Sequence, residues 1–179
     1  MDMVRYQRLL TRAAVALVAL VLLFFVGEQY RKALSCRSVL SVLWFNEHIY
    51  CHDHGGHHPA DIVSIAGAFP DALSGQERTN MNTNSVARLL ACPGVGRISK
   101  ATTVAAIESD YIYINWEPFY GTSTAPAQYP MIYDRSLSNH RGFGVNVLTV
   151  GGRCFWDFRA HWLRGFAAKH PEYRIPLPD

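Results

Sequence analysis

The chain has 179 residues, 49% hydrophobic and 12% aromatic, with 17 basic and 14 acidic side chains for a formal charge of +3. That length suits one domain with a real core. The small charge, with no basic stripe interleaved with aromatics, excludes a nucleic-acid-binding reading.

Residues Ala13 to Val26 (AAVALVALVLLFFV) form an uninterrupted apolar run, with Arg5, Arg8 and Arg12 before it. A spanning helix needs about 20 mostly apolar residues and a signal-peptide core about 7 to 15. The run falls between the two, and it reaches spanning length when Gly27 and a turn on either side join it. The arginines ahead of it place the N-terminus in the cytoplasm. Gly27-Glu28-Gln29-Tyr30 is a poor cleavage site, so an uncleaved, single-pass anchor is expected. The expected layout is a cytoplasmic stub (1–12), a transmembrane part of the N-terminal helix (13–27) and an extracytoplasmic domain (28–179).

From Thr11 the pattern reads as one helix that leaves the membrane and continues, because Glu28 to Tyr50 contains neither Gly nor Pro. Leu34, Val39, Val42, Leu43, Phe45 and Ile49 give it an apolar side, and Arg31, Lys32, Arg37, Asn46 and Glu47 a wet one. Gly55-Gly56 and Pro59 end it, leaving a stalk of about 40 residues and about 60 Å. Next, Ile62 to Leu73 reads as a short helix or turn, and Ser74 to Ser85 as a surface loop. Ser85 is a candidate cap for a helix from Val86 to Ala91, which Pro93-Gly94 would stop. Asp110 to Trp116 reads as a strand, and Tyr129 to Tyr133, with Pro130, as an edge strand. Gly144–Val150 and Arg153–Phe158 read as a hairpin turning on Gly151-Gly152. Arg159 to Lys169 has the pattern of a closing amphipathic helix, and Pro171, Pro176 and Pro178 mark a tail. One long helix followed by a small antiparallel sheet makes the fold class α+β, with the sheet packed on the outer half of the stalk.

The chemistry-bearing residues cluster in two ways. His48 and His52 are four apart, which is zinc-ligand spacing on a helix face, and His54, His57 or His58 could complete a Zn²⁺ shell from the turn. The competing reading is a polar helix end whose imidazoles favour the helix dipole. Four cysteines, Cys36, Cys51, Cys92 and Cys154, all follow the anchor. An even number in an oxidising space suggests two disulfides with three connectivities, buried free thiols being the alternative. His140, Asp134 and Ser136 or Ser138 lie on one loop, whereas hydrolytic triads are assembled from separate elements, so no catalytic residues and no resident cofactor are expected. Most aromatics read as core, with Trp116, Phe119 and Tyr120 the best candidates for a partner contact.

Four stretches in register resemble a known family. Ser35-Cys-Arg-Ser-Val-Leu followed by the Tyr50-Cys-His-Asp-His-Gly-Gly turn is similar to the helix end and first turn of prepilin-like proteins. Ala91-Cys92-Pro93 resembles their Cys-Pro element, and Asp110-Tyr-Ile-Tyr the strand after it. Asn139-His140 through Gly144-Val-Asn-Val-Leu-Thr-Val-Gly-Gly resembles the C-terminal His…Asp-Gly hairpin of type II secretion pseudopilin-like proteins. The resemblance covers about Cys36 to Phe158. It implies a pilin-like fold, a bacterial inner (cytoplasmic) membrane location with a periplasmic C-terminal domain, and pilin-like subunits or further copies of the chain as partners. It also implies a Cys36–Cys92 bridge, with Cys51 then meeting Cys154. The chain departs from the family in lacking the N-terminal Gly-Phe-Thr-Leu-x-Glu cleavage and methylation signal and in carrying Gly151-Gly152 for the terminal Asp-Gly.

Overall fold

A computed structural model describes residues 3–67, 83–95, 103, 106–122 and 124–179. Helix α1 runs unbroken from Met3 to Asp53, 51 residues and about 75 Å. Its inner part is bare: every large apolar side chain from Val15 to Val26 is 45–72% exposed. Its outer part carries a buried stripe, Ala33, Cys36, Leu40, Leu43 and Glu47, in alternating steps of three and four. This stripe is phased differently from the sequence expectation. Leu34 and Phe45 face solvent, while Asn46 and Glu47, assigned to the wet side, are buried. The face is set by what packs on it, and His58 meets the Glu47 carboxylate there at 2.6 Å.

Gly55 and Gly56, with φ of 65° and 91°, reverse the chain after α1, and the Gly56 amide donates to the Cys51 carbonyl at 2.8 Å. Both lie in the left-handed region where a side chain costs energy, which explains two glycines in succession. Helix α2 (Ile62–Gly67) follows; the rest of its expected span and most of the polar segment to Ser85 lie outside the described residues. Helix α3 spans Thr83–Leu90, so Ser85 sits inside it and is not its cap.

The sheet is a meander in the order β1-β2-β3-β4, every pair antiparallel: β1 Tyr111–Tyr113, β2 Pro130–Asp134, β3 Gly144–Thr149 and β4 Cys154–Phe158. Strand β2 is therefore central and wholly buried, not an edge. Pro130 survives there because it is the first residue, beside an irregularity in register with β3. Strand β1 is shorter than expected, and its sequel turns into helix α4 (Glu117–Tyr120). The β3–β4 loop holds four residues, Val150 to Arg153. A turn closes it from the Gly152 amide to the Thr149 carbonyl at 2.9 Å, and Gly152 is left-handed at φ 80°. That turn docks on the stalk: the Trp44 indole nitrogen donates to the Val150 carbonyl at 3.0 Å. A Cβ on Gly152 would meet the Trp44 ring at 2.9 Å. Helix α5 (His161–Lys169) buries Leu163 and Phe166 and closes the domain, as expected. The proline-marked tail is docked by Ile175 and by main-chain bonds between Asp179 and the Arg135–Leu137 segment. The molecule is a long apolar N-terminal helix carrying a four-stranded antiparallel sheet, an α+β pilin-like layout.

Candidate functional site

Beneath the outer half of α1, four elements converge on one buried polar cluster. Helix α1 supplies Cys36, the turn after α3 supplies Cys92, β2 supplies Asp134, and a single 3-10 turn (Leu137–His140) supplies His140. The four donor atoms lie within 4.8 Å of one another, and all four residues are buried. His140 Nε2 donates to Asp134 Oδ2 at 3.1 Å, and the backbone and side-chain nitrogens of Asn146 donate to the same oxygen at 2.6 and 3.2 Å. Burial alone would lower the His140 pKa, but Asp134 and Cys92 override it and raise it to about 9. A buried carboxylate is expensive unless paired and hydrogen-bonded; here the His140 imidazolium and the two Asn146 N–H groups, three donors in all, pair with Oδ2, and Oδ1 is buried without a hydrogen-bond partner among the described residues.

Cys92 Sγ stands 2.8 Å from Cys36 Sγ and 3.7 Å from His140 Nε2. Its loop is fixed by backbone bonds: the Cys92 amide donates to Asp110 at 2.8 Å, and the Gly94 amide donates to Cys92 Sγ at 3.3 Å. Position 94 must be glycine, since a Cβ there would collide with the Asn139 carbonyl and press the His140 ring at 3.1 Å. Hydrogen bonding to Cys36, then burial, holds the Cys92 thiol well above its ordinary pKa. All four cysteines are free thiols. Cys36 and Cys92 are the neighbours that the resemblance implies. Cys51 is not paired with Cys154: its sulfur meets Glu47 at 3.3 Å and His58 at 3.4 Å, and burial followed by the Glu47 charge pushes its pKa up to about 12. Cys154 lies at the start of β4, opposite Leu148.

The five histidines of residues 48–58 do not converge on one point. The His48 ring nitrogen lies 3.0 Å from the Trp44 carbonyl and 3.0 Å from the Glu47 carboxylate, which it shares with His58; His52 bonds to Asp53 at 3.3 Å and His57 to Glu117 at 2.7 Å. His54 bonds to the Tyr50 carbonyl at 2.8 Å and stacks on the Tyr50 ring. Only His58 joins a set of potential ligands, with Glu47 and Cys51. The physical reason is the double-glycine reversal, which folds His57 and His58 back while His52 and His54 stay on the outside. Glu117 clamps that reversal through the His57 ring and the His58 amide, and those bonds hold its carboxyl below the usual range. Of the three aromatics expected to meet a partner, Trp116 is buried, its ring nitrogen donating to the Pro130 carbonyl at 2.8 Å. Tyr120 is half-buried against Tyr173, and Phe119 alone is exposed. The Glu47–His58 and Asp134–Asn146 contacts were missed by sequence reasoning, because each joins residues whose proximity only the tertiary fold creates.

Compared with protein-family models, curated proteins and solved structures, the chain has no match.

Proposed function

We propose that the protein is a membrane-anchored, pilin-like structural or interaction protein without enzymatic activity, related to type II secretion or pilus-like assemblies. In this reading the inner part of α1 crosses the cytoplasmic membrane once, and the sheet domain stands in the periplasm. The observation that carries it is the bare run from Ala13 to Val26, continuous with the helix that forms one wall of the domain core. Each large apolar side chain left in water forgoes about 1.5–3 kcal/mol, so such a surface needs lipid or protein around it. Without polar or charged residues inside the run, its lateral contacts in lipid would rest on shape and van der Waals packing. Alkaline extraction of membranes followed by crosslinking tests the reading. The chain should stay with the lipid and crosslink to copies of itself or to pilin-like subunits. Release into the alkaline supernatant, or a monomer alone, contradicts it.

A second reading, a metal-binding domain on a membrane tether, is favoured by one observation: Cys36, Cys92, Asp134 and His140 bring together four side chains of types that ligate zinc, the number a closed tetrahedral site takes. Two thiolates on one tetrahedral zinc stand about 3.8 Å apart at Zn–S bonds of about 2.3 Å, so this site would have to open from 2.8 Å. An oxidised Cys36–Cys92 pair would instead exclude the metal. Co²⁺ titration of the reduced full chain in detergent separates the two: a thiolate charge-transfer band lost in Cys92→Ser supports the metal. A folded, reduced protein with no band overturns it.

A further inference from the structure

We infer that the domain makes a second membrane contact, in which Phe143 and Phe158 enter the lipid boundary beside α1 while Arg141 and Arg159 hold lipid phosphates. This rests on the anchor reading above. The two segments lie at one end of the sheet, where Gly144 pairs with Phe158 and the Arg159 amide donates to the Phe143 carbonyl at 3.1 Å. Phe143, in the bend before β3, and Phe158, the last residue of β4, are 55% and 57% exposed at the rim of the sheet, where loops are usually polar.

The height of this end is set by α1. The Arg141 guanidinium lies over the Phe25 ring, 5.7 Å from its centre, and its charge also reaches Glu28. Phe25 belongs to the last turn of the apolar run, and the next charged groups, Glu28 with Arg31 at 2.9 Å and Lys32 at 4.0 Å, mark the expected headgroup layer. Arg141 therefore ends where lipid phosphates would begin, and the paired turn beside it shares that level. Arg159 covers the Phe158 ring at 5.5 Å, and among the described residues neither guanidinium has a carboxylate within salt-bridge distance. An arginine whose guanidinium rests on an aromatic face, with no carboxylate paired to it, suits the interface between acyl chains and phosphates.

Both turns are also held in backbone conformations that their residues disfavour. Arg141 and Arg159 have φ of 57° and 52°, where glycine or asparagine would be cheaper. Glycine there would remove the cation that the geometry aims at the headgroups. The occupant argued for is the bilayer that holds α1, because the patch is continuous with the helix that enters it.

The test uses the full chain reconstituted in vesicles of phosphatidylcholine and phosphatidylglycerol, with lipids brominated near the top of the acyl chains as quenchers. Phe143→Trp and Phe158→Trp should each add fluorescence that the brominated lipid quenches by about twofold, as for a side chain at the acyl boundary. Phe45→Trp is the control. It is exposed on the same helix, twenty residues or about 30 Å farther out, and should not be quenched. Phe24→Trp reports the anchor itself. If Phe24→Trp is quenched but the two turn tryptophans behave like Phe45→Trp, the inference is overturned and the anchor stands. If Phe24→Trp also escapes quenching, the anchor reading fails first. Turn tryptophans shielded from aqueous acrylamide yet untouched by brominated lipid would mean a protein partner, which also overturns it.

Discussion

Glu47 and Asp134 are carboxylates almost without water; Glu47 faces two histidines, His58 at 2.6 Å and His48 at 3.0 Å, and Asp134 faces His140 at 3.1 Å. The Asp134 pair makes a prediction with a definite sign. In the metal-free protein the His140 pKa is raised from 6.5 to about 9, so the folded state binds the proton more tightly than the unfolded chain does. The stabilisation is complete below pH 6.5 and is lost as pH rises towards 9, a decline of about 2–3 kcal/mol. The raised thiol pKa values of Cys51, Cys92 and Cys154 act in the same direction above about pH 9. Thermal melts across this range should show Tm falling steadily from neutral to alkaline pH; a flat or rising Tm contradicts the buried ion pair. At this scale the sequence was only partly legible. Asp134 and His140 are six apart and could be associated by eye, but nothing local marks Asn146 as the donor that joins His140 on Asp134 Oδ2. Glu47 looked like a wet-side residue because its partner, His58, arrives only after the glycine reversal.

Between β4 and α5 the chain turns through Arg159 and Ala160, both left-handed, with φ of 52° and 54°. The helix start is capped from outside that turn. The Asp157 oxygens accept from the Trp162 and Leu163 amides, each at 2.9 Å, and a carboxylate there also meets the positive end of the helix. Asp157→Ala should lower stability by about 1–2 kcal/mol, read as a drop in Tm with the sheet signal otherwise native. Ala160→Gly should do the reverse of what glycine usually does. It removes a left-handed alanine that costs about 1 kcal/mol, so Tm should hold or rise; a clear loss would mean that the turn is not strained. The strongly periodic elements were legible: the long helix, the β3–β4 hairpin and α5 fall where hydrophobic spacing places them. Strand β2 reads as an edge in the sequence because Pro130 falls inside the expected span Tyr129 to Tyr133, whereas in the fold it opens the strand. Helix α3 begins at Thr83, inside a segment whose polar composition reads as loop, because Val86, Ala87 and Leu90 bury one face of it.

For the whole molecule, everything depends on α1 being one body that is lipid-facing at one end and core-facing at the other. The apolar run announced the first half, and the absence of Gly or Pro from Glu28 to Tyr50 announced the second. What could not be read was the phase of the buried stripe, since heptad-like steps over 20 residues fit several faces about equally well and only the docked sheet selects one. Gly27, at the junction, is the natural place for such a helix to fail, having weak helix propensity and no tertiary neighbour near its Cβ position. Amide hydrogen exchange of the full chain in lipid nanodiscs reads that junction directly. The account predicts protection running without interruption from Val15 through Gly27 to Glu47. Fast exchange at Gly27 to Lys32, or solvent-rate exchange along Ala13 to Val26, would mean a hinged or unburied tether, and the picture of a single rod joining bilayer to sheet would be wrong.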